Sequence, residues 1–126
     1  MRRPVSTHRA PAAVGPYTQA IVADNFVFVS GQIPLEPGSG KLVEGGVEEQ
    51  TRQVLRNIAA ILAESGSSME RVVKATVYLV DLGTFEAMNR VYAEAFPLPH
   101  PSRVCVEVSK LPKGAEVEIE VVAVLK

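Results

Sequence analysis

The spacing of apolar positions changes several times along the chain, and each change marks an element. Residues 17–22 and 26–30 are short β-prone runs, and Asp24-Asn25 between them suits a tight hairpin. Residues 34–46 hold Pro37, Gly38, Gly40, Gly45 and Gly46, which predicts a loop. From 47 to 65 the period becomes helical: Val47, Val54, Leu55, Ile58, Ile61 and Leu62 fall on one face. Glu48 and Glu49 stand in the first turn, where the helix dipole favours negative charge, and Gly66 follows as the terminating residue. Residues 71–80 are a β-branched run. Alternation predicts Val73, Ala75, Val77 and Leu79 on one side and Val72, Lys74, Thr76, Tyr78 and Val80 on the other. A second helix is predicted over 84–96, with Phe85, Met88, Tyr92 and Phe96 at helical spacing, and Pro97, Pro99 and Pro101 forbid its continuation. Val104, Val106 and Val108 then read as the core face of a strand, with Arg103, Cys105 and Glu107 on the other face. After a turn at Pro112-Lys113-Gly114, residues 116–125 read as a last strand. Val117, Ile119, Val121, Ala123 and Leu125 form its core face, and Glu116, Glu118 and Glu120 point the other way. Residues 1–16 are rich in Pro, Ala and Gly and show no period, so they read as an arm leading to the turn at Gly15-Pro16.

The order strand, strand, helix, strand, helix, strand, strand predicts an α+β layer, with both helices on one face of a mixed sheet. The uncovered face carries Tyr78, Val80, Val122 and Val124 among its polar residues, too apolar a set to lie bare in water. That face is expected to be buried against other subunits of a closed symmetric oligomer.

Composition narrows the setting. At 126 residues the chain, 1–126, reads as a single domain with one core. With 47% hydrophobic and 21% charged residues it is globular rather than disordered. A formal net charge of −1 without a basic block makes nucleic acid a poor default partner. A single cysteine makes no internal disulfide, and no signal peptide or membrane span is evident after the basic Met1-Arg2-Arg3-Pro4. The cytoplasm is the default expectation.

Arg103 is the residue that asks for an explanation: it opens an alternating strand two positions before the only cysteine. If the last two strands pair as a hairpin around Pro112-Lys113-Gly114, Arg103 shares the interfacial sheet face with one of Glu116, Glu118 and Glu120. A guanidinium there needs a carboxylate, either from the protein across an oligomer interface or from a ligand. His8 and His100 are too few and too scattered for a metal set. Gly38-Ser39-Gly40-Lys41 suggests a phosphate loop only superficially, because Leu42 stands where Ser or Thr is required.

Five stretches carry a family resemblance: APAAVGPYTQA (10–20), VSGQIP (29–34), QTRQVLRNIAAILAESG (50–66), VVKATVYLVDLGTFEAMNRVYAEAF (72–96) and PSRVCVEVSKLPKGAEVEIEVVAV (101–124). In these the chain resembles the RidA (YjgF) family of reactive intermediate deaminases. The resemblance implies a chorismate mutase-like fold assembled as a homotrimer, with strands forming a central barrel, helices outside and sites in the clefts between subunits. It implies hydrolysis of 2-imino acids, formed from enamines released by pyridoxal-phosphate enzymes, to a 2-oxo acid and ammonia without cofactor or metal. Carried over by position, the site residues are Tyr17, Ser30, Gly31, Asn89, Arg103, Cys105 and Glu118, and the resemblance selects Glu118 from the three glutamates.

The residue types suit that chemistry. An arginine fork binds the fixed carboxylate of a 2-imino acid, Gly31 lets backbone approach closely, and Glu118 can orient a water or take its proton. Each residue also has a plainer reading: Tyr17 an edge aromatic, Ser30 a strand terminator, Asn89 a loop anchor, Cys105 a small hydrophobe walling the pocket rather than a nucleophile. The Phe96-Pro97-Leu98-Pro99-His100-Pro101 approach to Arg103 is shorter and richer in proline than the family pattern, which bears on substrate range. Beside the deaminase stand two other classes: a 2-oxo acid binding module without turnover, and a translation inhibitor, ribonuclease or chaperone, roles also described for the family.

Overall fold

The computed structural model describes residues 2–126, and Met1 lies outside the described residues. Six strands, β1 (Arg2–Val5), β2 (Ala20–Ala23), β3 (Phe26–Gln32), β4 (Val72–Leu79), β5 (Ser102–Glu107) and β6 (Val117–Val124), join two helices, α1 (Val47–Ser65) and α2 (Phe85–Ala95). They form one mixed sheet in the order β1-β2-β3-β6-β4-β5. Only β4 and β5 run parallel, as expected of two strands joined through a helix.

Helix α1 follows its pattern to the residue. The side chain of Glu49 accepts from the N–H of Gly46. At the other end Gly66 is left-handed at φ 89°, and the N–H groups of Gly66 and Ser67 close on the carbonyls of Ala63 and Leu62. The apolar stripe of α1 is buried on the sheet, where Val54, Ile58, Ile61 and Leu62 meet Val27, Ile119, Val121 and Ala123 in one cluster. The turn between β2 and β3 is Asp24-Asn25, as the pattern predicts, with Asp24 at φ 53° and Ala23 opposite Phe26.

Several expectations are corrected. The arm is not wholly irregular: Arg2–Val5 pairs antiparallel with β2, although a four-residue edge strand containing Pro4 gives no readable period. Tyr17 precedes β2 rather than opening it. Strands β5 and β6 are not a hairpin; β4 lies between them and pairs with both. The two faces of β5 are reversed: Val104 and Val106 are exposed, whereas Cys105 packs on the core and Arg103 lies against α2. As the outermost strand, β5 takes its facing from the β4 register, not from its own valines. In β4 a register shift between Val72 and Lys74 turns Val72 inward and Val73 outward, against simple alternation. Glu116 precedes β6, and its carboxylate accepts from Gln50 on α1 instead of joining Glu118 and Glu120.

The sheet face away from the helices is open. Phe26, Phe28, Val104 and Val106 are 44%, 47%, 47% and 38% exposed there, with Val122 and Val124 opposite the two phenylalanines. Val80, expected on this face, falls just beyond the end of β4. No helix among the described residues is long and apolar enough to cross a membrane.

Candidate active site

A bulge and the N-terminal arm build one cleft. The β3–β6 ladder is regular from Phe26 to Val29 and shifts before Gln32, so Ser30 and Gly31 fall out of register. Such a distortion re-aims side chains and often adjoins functional sites. Ser30 Oγ donates to the carbonyl of Thr18, and the Ser30 N–H donates to the carbonyl of Gln19 at 2.9 Å. These bonds tie the bulge to the segment that carries Tyr17. Glu118, from β6, folds its carboxyl group against Gly31. Tyr17, Ser30, Gly31 and Glu118 thereby line one cleft of about 470 Å³, walled by Pro11 and Ala12 of the arm.

The electrostatics of that cleft favour a proton acceptor of raised basicity. Glu118 is half-buried, and burial, with the charge of Glu120 behind it, pushes its carboxyl above the usual glutamate range. Glu120 is engaged elsewhere: Tyr78 Oη donates to it at 2.6 Å, and this bond pushes the phenol up to about 12.

A second cleft, of about 510 Å³, is lined by Asn89, Tyr92, Ala93, His100, Pro101 and Arg103. Arg103 Nη1 donates to Asn89 Oδ1 at 2.6 Å. Its guanidinium carbon lies 4.8 Å from the ring centre of Tyr92 and 5.5 Å from that of Phe85. The single ion pair among the described residues is Arg90–Glu48, so no carboxylate of its own chain neutralises Arg103. Cys105 follows on the same side; burial raises its thiol pKa and the Arg103 charge partly lowers it. A thiol of raised pKa is a poor nucleophile at neutral pH.

The expected site residues thus fall into two groups, Tyr17, Ser30, Gly31 and Glu118 in one cleft and Asn89 and Arg103 in the other, while Cys105 lines neither and packs on the core beside Arg103. Arg103 and Glu118 do not share a sheet face. The parallel register sets Arg103 beside Ala75, on the helix side, whereas the antiparallel register sets Glu118 beside Tyr78, on the open side. Sequence reading missed Phe85 and Tyr92 as neighbours of Arg103. Their signal was present in the spacing of 85, 89 and 92, one face of a helix, but was absorbed into the core stripe. It also missed Gln19, a buried side chain that accepts from the N–H of Thr7 and donates to the carbonyls of Thr7, Ala10 and Pro11.

Comparison with known proteins bears on the family and the fold. The family model described as Endoribonuclease L-PSP matches residues 7–125. The chain is 48% identical to the 2-iminobutanoate/2-iminopropanoate deaminase of Capra hircus, over 98% of this chain and 90% of that protein. The crystal structure of yeast Mmf1 superposes with a TM-score of 0.96 at 47% identity, covering all of both chains. That of E. coli TdcF with bound serine does so with 0.92 at 39% identity, covering 97% of this chain and 98% of that one. A match over nearly the whole length, at such identity and with the same fold, means that the chain belongs to the RidA/YjgF/L-PSP (RutC) family.

Proposed function

We propose that this protein hydrolyses small 2-imino acids, 2-iminobutanoate and 2-iminopropanoate, to the 2-oxo acid and ammonia, at sites shared between subunits of a homotrimer. The observation that carries the reading is Arg103: a guanidinium held in a cleft by two rings and a neutral amide, with no carboxylate of its own chain. Its remaining donors suit the carboxylate of a substrate. The named activity of the goat relative and the serine bound to TdcF support a small amino-acid-like ligand.

The chemistry is balanced without further reactants. Water adds to the iminium carbon and forms a carbinolamine; Glu118 accepts the water's proton and returns it to nitrogen; the C–N bond breaks with its electron pair going to nitrogen, ammonia leaves, and the carbinol O–H proton passes through Glu118 to that ammonia as the 2-oxo acid forms. The raised basicity of Glu118 suits it to hold that proton between the two steps. An iminium carbon is already electrophilic, so no covalent nucleophile is needed.

Because Arg103 and Glu118 lie on opposite faces of one sheet, a single chain does not direct both at one ligand. The exposed apolar face around Phe26, Phe28, Val104 and Val106 supports burial between subunits, which brings the Arg103 cleft of one chain against the Glu118 cleft of the next. The name of the family model includes a ribonuclease, but a net charge of −1 gives that reading no physical support here. The deciding test is a coupled assay: a pyridoxal-phosphate serine or threonine dehydratase releases the enamine, and 2-oxo acid formation is followed with and without this protein. Acceleration supports the reading; an unchanged rate overturns it.

A further inference from the structure

Three side chains of α2, Phe85, Asn89 and Tyr92, converge on one guanidinium. Spacings of four and three residues put them on a single helix face. We infer that Phe85 and Tyr92 are positioning residues: they clasp the Arg103 guanidinium between α2 and β5, and so set the plane in which its free donors meet a substrate carboxylate. This rests on the reading of Arg103 as the carboxylate clamp.

The geometry supports more than packing. Asn89 occupies Nη1 at 2.6 Å, while the rings lie 4.8 and 5.5 Å from the guanidinium carbon, within cation–π range. Rings attract the cation without consuming an N–H donor, so the fork is held and stays available. A carboxylate in the same place would hold it more strongly and also neutralise it. Tyr92 is itself anchored, its ring 4.5 Å from that of Phe96. Its hydroxyl is buried with no hydrogen-bond partner among the described residues. An unsatisfied hydroxyl is a cost, so what the site needs from Tyr92 is the ring.

The test uses Cys105 as a reporter, because it is the only thiol and the Arg103 charge lowers its pKa. Tyr92→Leu, Tyr92→Phe, Phe85→Leu and Arg103→Ala are compared in the full-length protein. One measurement is calorimetric affinity for 2-oxobutyrate; the other is the pH profile of Cys105 alkylation. The expected result for Tyr92→Leu and Phe85→Leu is affinity weakened about three- to thirty-fold, the worth of a partly desolvated cation–π contact. Their alkylation midpoints should move up toward that of Arg103→Ala, as the guanidinium drifts from its seat. Tyr92→Phe keeps the ring and should rescue both. Phe85 is only half-buried, so its variant keeps the test open should Tyr92→Leu fail to fold. Folded leucine variants with the wild-type thiol profile overturn the inference. Should the wild type itself bind no 2-oxobutyrate, the clamp reading fails, and the thiol profile alone still decides whether the rings hold Arg103.

Discussion

Gly31 lies directly beneath the carboxyl group of Glu118: a β-carbon at position 31 would stand 3.0 Å from the carboxyl carbon and 3.4 Å from Cγ. The backbone at 31 is not left-handed, so what the site requires is the empty space above the bulge, not glycine's conformational range. Gly31→Ala should displace the Glu118 side chain while β3 and β6 stay paired. The expected outcome is deaminase turnover reduced at least tenfold with an unchanged far-ultraviolet circular dichroism spectrum, the scale of a misplaced general base.

Glu118→Gln preserves shape and removes the proton acceptor. It should still bind 2-oxobutyrate, while turnover falls by about 10²–10⁴. Calorimetry beside the coupled assay separates the two effects. Equal rates for both proteins would remove this residue from the mechanism.

The acid limb of the rate profile should report the environment of Glu118. Burial and the neighbouring Glu120 charge both raise its pKa, so the rate should fall on acidification at a pH above the ordinary glutamate range. Glu120→Gln removes the second of these causes, and the limb should then move to lower pH. A limb that stays in place would mean that the two carboxylates do not interact in the assembled protein.

Arg103→Ala should lose roughly 2–5 kcal/mol of ligand binding, because a charge-assisted pair is removed. Arg103→Lys should rescue little, since an ammonium neither forks nor stacks on two rings. Wild-type affinity in either variant would reject the clamp.

Gln19 should prove a staple for the arm. Its amide makes four hydrogen bonds to residues 7–11, using both its donor and its acceptor ends. Gln19→Leu leaves those backbone groups unpaired in a buried place and should cost about 1–3 kcal/mol by urea denaturation. Limited proteolysis should then cut first within residues 6–16.

The limits of sequence reading here are physical. Helix α1 was legible because its stripe, its acidic first turn and Gly66 all agree. The faces of β5 were not legible, because alternation states which residues share a face and never which face is covered. Val104 and Val106 are as apolar as core residues, yet they belong to a surface that a lone chain leaves open. Strand neighbours were missed for a related reason: β6 pairs with β4 and β3 rather than with the strand before it, and pairing partners leave no mark in a single sequence. Of the site residues, residue chemistry alone singled out Arg103; the choice of Glu118 over Glu116 and Glu120 needed the family resemblance.

The open face should also govern assembly. Sedimentation equilibrium at micromolar concentration should give three chains per particle, and Phe28→Glu should shift it toward the monomer with loss of turnover. A wild-type monomer with full activity would sink the shared-site proposal.

The separation of Arg103 and Glu118 by the thickness of one sheet has a genetic corollary. If every cleft draws its arginine from one chain and its glutamate from the next, two dead variants should complement each other. Arg103→Ala and Glu118→Gln subunits, unfolded together and refolded as a mixture, should regain about one intact cleft in four by random assortment around a closed ring. Each variant refolded alone should regain none.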